Sequence, residues 1–134
     1  MRITKNDHEF VTTNDPWFGW FWATVNDGTW EPETFRIFDR FLAKNTTFID
    51  AGAWIGPTVL YASRLCNRCF ALEPSPMSYR ELVNNLEANC SYNVLALQEA
   101  LWEYDGFLTL GNDGGSTGGS STRVDSNKNN FQVP

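Results

Sequence analysis

The strongest chemical signal in the sequence comes from two acids and a pair of glycines. Asp50-Ala51-Gly52-Ala53-Trp54-Ile55-Gly56 follows the short apolar run Thr46 to Ala51 and precedes a helical pattern opened by Pro57, so it reads as a strand-to-helix turn. Glycines there permit a tight turn and let a ligand come close to the backbone. Glu73 stands roughly 20 residues further on, at the predicted end of the next strand, where a carboxylate can accept bonds from both hydroxyls of a ribose. Turn and acid together read as a site for an adenosine-bearing cofactor. A dinucleotide would want G-x-G-x-x-G around its pyrophosphate, whereas this turn is D-x-G-x-x-x-G and opens on an acid. A carboxylate at Asp50 repels a pyrophosphate and attracts a sulfonium, which favours S-adenosylmethionine over NAD.

Other residues with reactive side chains carry less. Cys66-Asn67-Arg68-Cys69 has the spacing of half a zinc site or a redox pair, but only Cys90 and His8 remain to complete a ligand set, so no metal is expected. His8 falls in a stretch expected to fray and be solvated. The run Trp17-Phe18-Gly19-Trp20-Phe21-Trp22 suits extended structure, and Asn26-Asp27-Gly28 after it is a turn signal, so residues 9 to 30 read as an aromatic β-hairpin. In a strand, Phe18, Trp20 and Trp22 share one face, which packs on the core or stacks on a sugar.

The elements that hold the turn follow from periodicity. Phe35, Phe38, Phe41 and Leu42 recur at helical spacing after Pro32, and Val59, Ala62 and Cys66 do so after Pro57. Cys69 to Glu73 is the next strand. Ser75 and Pro76 open a helix striped by Tyr79, Leu82, Val83 and Leu86, and Asn93 to Leu97 is a third strand. Strands alternating with helices predict an α/β parallel sheet. Phe107 to Leu110 is a further short strand after the turn Asp105-Gly106, and residues 111 to 122 hold five of the ten glycines, which reads as a mobile loop. The organisation expected is 1–30 as an N-terminal extension with the aromatic hairpin, 31–110 as the cofactor-binding half, and 111–134 as a flexible loop and tail.

Composition narrows the function. The 134 residues are 42% hydrophobic and 19% charged, enough for one folded domain, with a net charge of -6. Acids outnumber Lys and Arg 16 to 10, which argues against nucleic acid as a partner. No apolar run is long enough for a membrane span and the opening residues carry no apolar leader, so a cytoplasmic protein with reduced thiols is expected.

Phe48 to Gly56, then Ala71-Leu72-Glu73-Pro74-Ser75-Pro76, then Leu82-Val83-Asn84-Asn85-Leu86 with Asn89, and Ala100-Leu101 before Asp105-Gly106 resemble the FkbM-type methyltransferases over residues 30 to 124. That resemblance implies a class I methyltransferase (Rossmann-like) three-layer core, S-adenosylmethionine as donor, and O-methylation of a hydroxyl on a sugar or small metabolite. It also implies that Asp50, Gly52, Ala53 and Gly56 line the methionine end, that Glu73 holds the ribose, and that Glu99 approaches the adenine. Trp54 stands where the family often has Asn, so one bond to the methionine end is lost or replaced by packing. Nothing in the chain matches the family's later K-I-D-x-E-G-type strand, so no catalytic base is assigned and the core is expected to be truncated after its third strand.

On this reading the strand at Phe48 to Ala51 is left with an unpaired edge, a known route to self-association or to completion by a partner chain. The alternative function is a non-catalytic binding module whose sheet another chain completes. A nicotinamide-dependent enzyme is a third reading, disfavoured by the turn.

Overall fold

The computed structural model describes residues 1–104, 106–112, 122–124 and 131–134. The chain opens with an antiparallel pair, β1 (Arg2–Lys5) and β2 (His8–Val11), turned by Asn6 and Asp7, with Asn6 at φ 49°. Two helices follow, α1 (Gly19–Asp27) and α2 (Pro32–Phe41), then an alternating run: β3 (Thr47–Ala51), α3 (Pro57–Leu65), β4 (Arg68–Leu72), α4 (Pro76–Ala88) and β5 (Val94–Leu97). β6 (Leu108–Asn112) lies between β7 (Thr122–Val124) and β8 (Phe131–Val133) in a separate antiparallel sheet. The backbone N–H of Ala100 donates to Pro134 O at 3.0 Å.

The β3-β4-β5 sheet is parallel, with Asp50 opposite Ala71 and Ala71 opposite Ala96. Right-handed crossovers, the rule for parallel strands, place α3 and α4 on one face, and Leu82 of α4 does lie against Gly56 at the start of α3. Cys69 and Ala71 of β4 are fully buried, while Ile49, Phe70 and Leu95 form a cross-strand row on the opposite face, with Ile49 63% and Leu95 52% exposed. β3 is an edge strand of its sheet among the described residues.

The α/β order from Thr46 to Leu97 is as expected; the N-terminal part is not. The aromatic run is the start of helix α1, and the hairpin is formed upstream by β1 and β2. Spacing decides against the strand, because Phe18, Phe21, Trp22 and Val25 stand at i, i+3, i+4 and i+7 and are all buried, while Trp17 and Trp20 point outward. Aromatic strand propensity is a weaker preference than one complete buried stripe. Asn26-Asp27-Gly28 ends this helix: Gly28 sits at φ 85° and its N–H returns to Val25 O, with Trp30 N–H returning to Thr24 O. Lys5 Nζ lies 3.5 Å from Val25 O and 5.0 Å over the Phe35 ring, a cation at the carbonyl end of the helix. His8 is neither frayed nor free: it is in β2, edge-on to Tyr61 at 5.2 Å.

α3 is the centre of the core. Val59, Leu60, Tyr61 and Ala62 are fully buried, because α3 packs on β3 and β4 as well as on β2 and α2. One apolar cluster runs from Ile3 and Phe10 through Trp22 and Phe35 to Leu60 and Leu82. The Gly-rich loop expected over 111–122 falls largely on 113–121, outside the described residues, as does Asp105 of the predicted turn.

Candidate functional site

The turn after β3 is built from backbone bonds to the neighbouring strand. Gly52 and Ala53 N–H both donate to Leu72 O, at 2.8 and 2.9 Å, which folds the turn back over the end of β4. Gly52 (φ 84°), Trp54 (φ 50°) and Gly56 (φ 97°) bend it through left-handed conformations. A side chain on Gly56 would bring its Cβ to 2.8 Å from Leu82 Cδ1 of α4, whereas a Cβ on Gly52 would meet nothing within 4 Å. The two glycines therefore serve different ends. Gly56 lets α4 pack close, and Gly52 keeps exposed backbone open to a ligand.

Asp50 closes β3 and reaches the start of α3. Its Oδ2 accepts the Thr58 hydroxyl at 2.5 Å, and its carboxylate accepts the Val59 N–H, so it satisfies one orphan backbone donor of the first turn of α3. Burial pushes the Asp50 carboxyl up, against the lowering effect of those two bonds.

Glu73 is 5% exposed and holds two backbone donors: Trp54 N–H on Oε2 and Ser75 N–H on Oε1, both at 2.8 Å. One acid thus ties the turn after β3 to the entry of α4. Burial pushes its pKa up, and the Asp50 charge adds to the rise while the two N–H bonds oppose it. Each Glu73 oxygen keeps a lone pair beyond the backbone bond it accepts.

Asp50, Gly52, Ala53, Gly56 and Glu73 come together here. Glu99, half-buried and two residues beyond β5, stands at the same end of the sheet with β4 between it and the turn. Trp54 packs toward α1: its ring stands edge-on to Phe21 at 4.5 Å and Phe18 at 5.7 Å, which joins the turn to that helix.

Three supports are given no site role by the sequence, Asn85 and Asn89 standing only among the residues of the resemblance. Asn85, fully buried in α4, donates to Ile55 O at 3.0 Å and accepts Thr13 N–H at 2.8 Å. One turn later Asn89 accepts Val11 N–H at 2.8 Å and donates to Val11 O at 2.6 Å. These amides act as a strand partner for the end of β2 and hold the far side of the turn. Thr58 is the third, and Pro57 before it is the only local hint that it sits in a first helical turn.

The Cys66 and Cys69 thiols are buried and Cys90 is exposed. Burial pushes Cys69 up to about 12, with Cys66 beside it adding to the rise, so Cys69 is held as a thiol. Among the described residues no group of three or more His, Cys, Asp or Glu side chains could hold a metal ion, and no helix is long and apolar enough to cross a membrane.

Strand order and turn are those of a Rossmann-like fold, and comparison with solved structures agrees. The M. jannaschii tRNA m1G37 methyltransferase superposes with a TM-score of 0.52 at 17% identity, over 78% of this chain and 31% of that one. A Streptococcus mutans protein assigned as a methyltransferase and solved in complex with SAH matches with a TM-score of 0.50 at 20% identity, over 52% of this chain and 39% of its own. The fold is that of a class I methyltransferase. The chain spans between about a third and two fifths of the length of these two proteins. No family model and no curated relative matches it.

The expected exclusion of nucleic acid does not stand, since the same methyltransferase fold carries a tRNA-modifying enzyme. Net charge is a sum over the whole chain and governs non-specific phosphate binding; it does not report on a local substrate pocket.

Proposed function

We propose that this chain is the cofactor-binding part of an S-adenosylmethionine-dependent methyltransferase of the FkbM type, acting in the cytoplasm on a hydroxyl of a sugar or small metabolite. The observation that carries the reading is the pair of carboxylates, half-buried Asp50 and buried Glu73, that flank the exposed backbone of Gly52. Such a site favours a ligand with positive charge beside adenosine and disfavours a diphosphate.

Under this reading Gly52, Ala53 and Gly56 present backbone to the methionine end, Asp50 fixes the strand end through α3, and Glu73 offers its remaining lone pairs to the ribose. Glu99 lies on the adenine side. When bound, S-adenosylmethionine supplies a methyl group on an already good leaving group, so the protein's share is proximity, orientation and a base for the hydroxyl. Residues 31–110 form that half, and 1–30 cover its turn through Phe18 and Phe21, which pack on Trp54.

Calorimetry with S-adenosylhomocysteine and NADH tests the proposal. Tighter binding of the homocysteine product is expected; tighter binding of NADH overturns it.

A further inference from the structure

We infer that the cleft between α1, the α1–α2 connection and the turn is the seat of the acceptor, and that it takes a hydroxylated or amino-bearing sugar ring without phosphate. The inference rests on the methyltransferase reading for the word acceptor, but the cleft itself stands on its own geometry. About 520 Å³ is bounded by Trp20, Trp30 and Trp54, with Thr24, Thr29 and Glu31 as its polar wall. That volume is in the range of small-molecule sites and exceeds what one hexose ring needs.

The direction of the hydrogen bonds selects the ligand. The Thr24 hydroxyl already donates to Phe21 O at 2.7 Å, and the Thr29 hydroxyl to Asp27 Oδ1 at 2.7 Å. Glu31 Oε2 accepts the Thr34 hydroxyl at 3.0 Å. Apart from indole N–H groups, the wall therefore offers acceptor lone pairs and one negative charge. That carboxylate and those lone pairs favour a ligand that brings donors and no anion. Indole rings add faces on which the C–H side of a sugar lies flat, or over which an ammonium is attracted.

The cleft is also where the backbone is bent against preference. Of the four non-glycine residues at positive φ among the described residues, Glu31 (38°) and Trp54 (50°) both border it. Trp54 is shared with the turn: its backbone is held by Glu73 and its ring closes the cleft, which puts a bound ring next to the methyl-donor site. Trp20, 68% exposed on the outward face of α1, lines the same cleft.

The test is a titration of the protein carrying ¹⁵N-labelled tryptophan with glucose, glucosamine, glucose 6-phosphate and adenosine, following the six indole N–H resonances. Glucose and glucosamine should move Trp20, Trp30 and Trp54 and leave buried Trp22 in place. Glucosamine should bind more tightly, and glucose 6-phosphate at least tenfold more weakly. Glu31→Gln, a change at an exposed position, should abolish the preference for glucosamine while leaving glucose binding within about twofold. Trp30→Ala should remove both, with the Trp22 resonance reporting that the core is intact. Equal or better binding of the phosphate, stronger binding of adenosine at the same three indoles, or no shift from any sugar overturns the assignment. S-adenosylhomocysteine is titrated into the same sample: sugar shifts without its binding leave the cleft standing and remove the cofactor reading, and the reverse result removes the cleft alone.

Discussion

Glu73 Oε2 accepts the backbone N–H of Trp54 at 2.8 Å, so the acid at the end of one strand shapes the turn that leaves its neighbour. With the second oxygen on Ser75 N–H, the side chain that the sequence marks as a ribose ligand is also a structural clamp. Glu73→Ala should therefore lower stability by roughly 1.5–3 kcal/mol, the range for hydrogen bonds to a charged group. It should also weaken S-adenosylhomocysteine binding. Urea denaturation alongside calorimetry separates the two, and a folded variant with unchanged affinity would take Glu73 out of the cofactor site.

The two glycines of the turn should respond differently to alanine. Gly56→Ala meets Leu82 as well as a left-handed backbone, and should cost roughly 1–3 kcal/mol. Gly52→Ala meets only the backbone cost, about 1–2 kcal/mol, but it places a methyl group in the open space where the ligand is proposed to lie. Its larger effect should be on S-adenosylhomocysteine affinity. If Gly52→Ala binds as wild type does, the ligand does not cross that face of the turn.

Acidification should relieve part of the strain at the site. Asp50 and Glu73 both have carboxyl groups raised by burial, so between the unfolded and folded values the native state holds more protons and stability falls as pH rises. The cost is fully present above the raised folded values; it is lifted as pH drops through them and is gone below about 4, the unfolded range. Asp50→Asn removes one contributor. Urea midpoints measured from pH 7 to pH 4.5 should rise less in Asp50→Asn than in wild type, and parallel curves would show that Asp50 is not raised.

Tyr61 links three elements through one oxygen: it donates to Asp39 of α2 and accepts from Asn6 in the β1–β2 turn, whose amide also donates to Asp39. Its ring is fully buried against Phe35 and His8. Tyr61→Phe keeps the ring and should cost about 0.5–1.5 kcal/mol. Coupling with Asp39→Asn in a double-mutant cycle should be clearly non-zero; additive losses would mean the contact contributes nothing.

Native alkylation with iodoacetamide should label one thiol. Cys90 is exposed, whereas Cys66 and Cys69 are buried and Cys69 is pushed up to about 12. Mass spectrometry after brief treatment should find a single adduct at Cys90, and three after denaturation. Early labelling at Cys69 would reopen the Cys66-x-x-Cys69 pair as a redox site.

What the sequence determined by itself is the α/β alternation from Thr46 to Leu97, the turn with its two glycines, and the acid after β4. Each is local: Pro57 and Pro76 mark first helical turns, apolar runs of strand length stand between them, and glycine tolerates conformations that other residues resist. The partners of those residues were decided only in the tertiary structure. Nothing near Glu73 in sequence says that its oxygens face Trp54 N–H, and nothing near Asn85 says that it bridges Thr13 and Ile55. The aromatic run at Trp17 to Trp22 shows the same limit, because strand propensity and helical spacing compete there and only a core to receive Phe18, Phe21, Trp22 and Val25 chooses between them. The cleft is the last such case. Trp20, Trp30, Glu31 and Trp54 come from a helix, a connection and a turn, and they share a surface only because Gly28 ends α1 and Trp54 packs on Phe21.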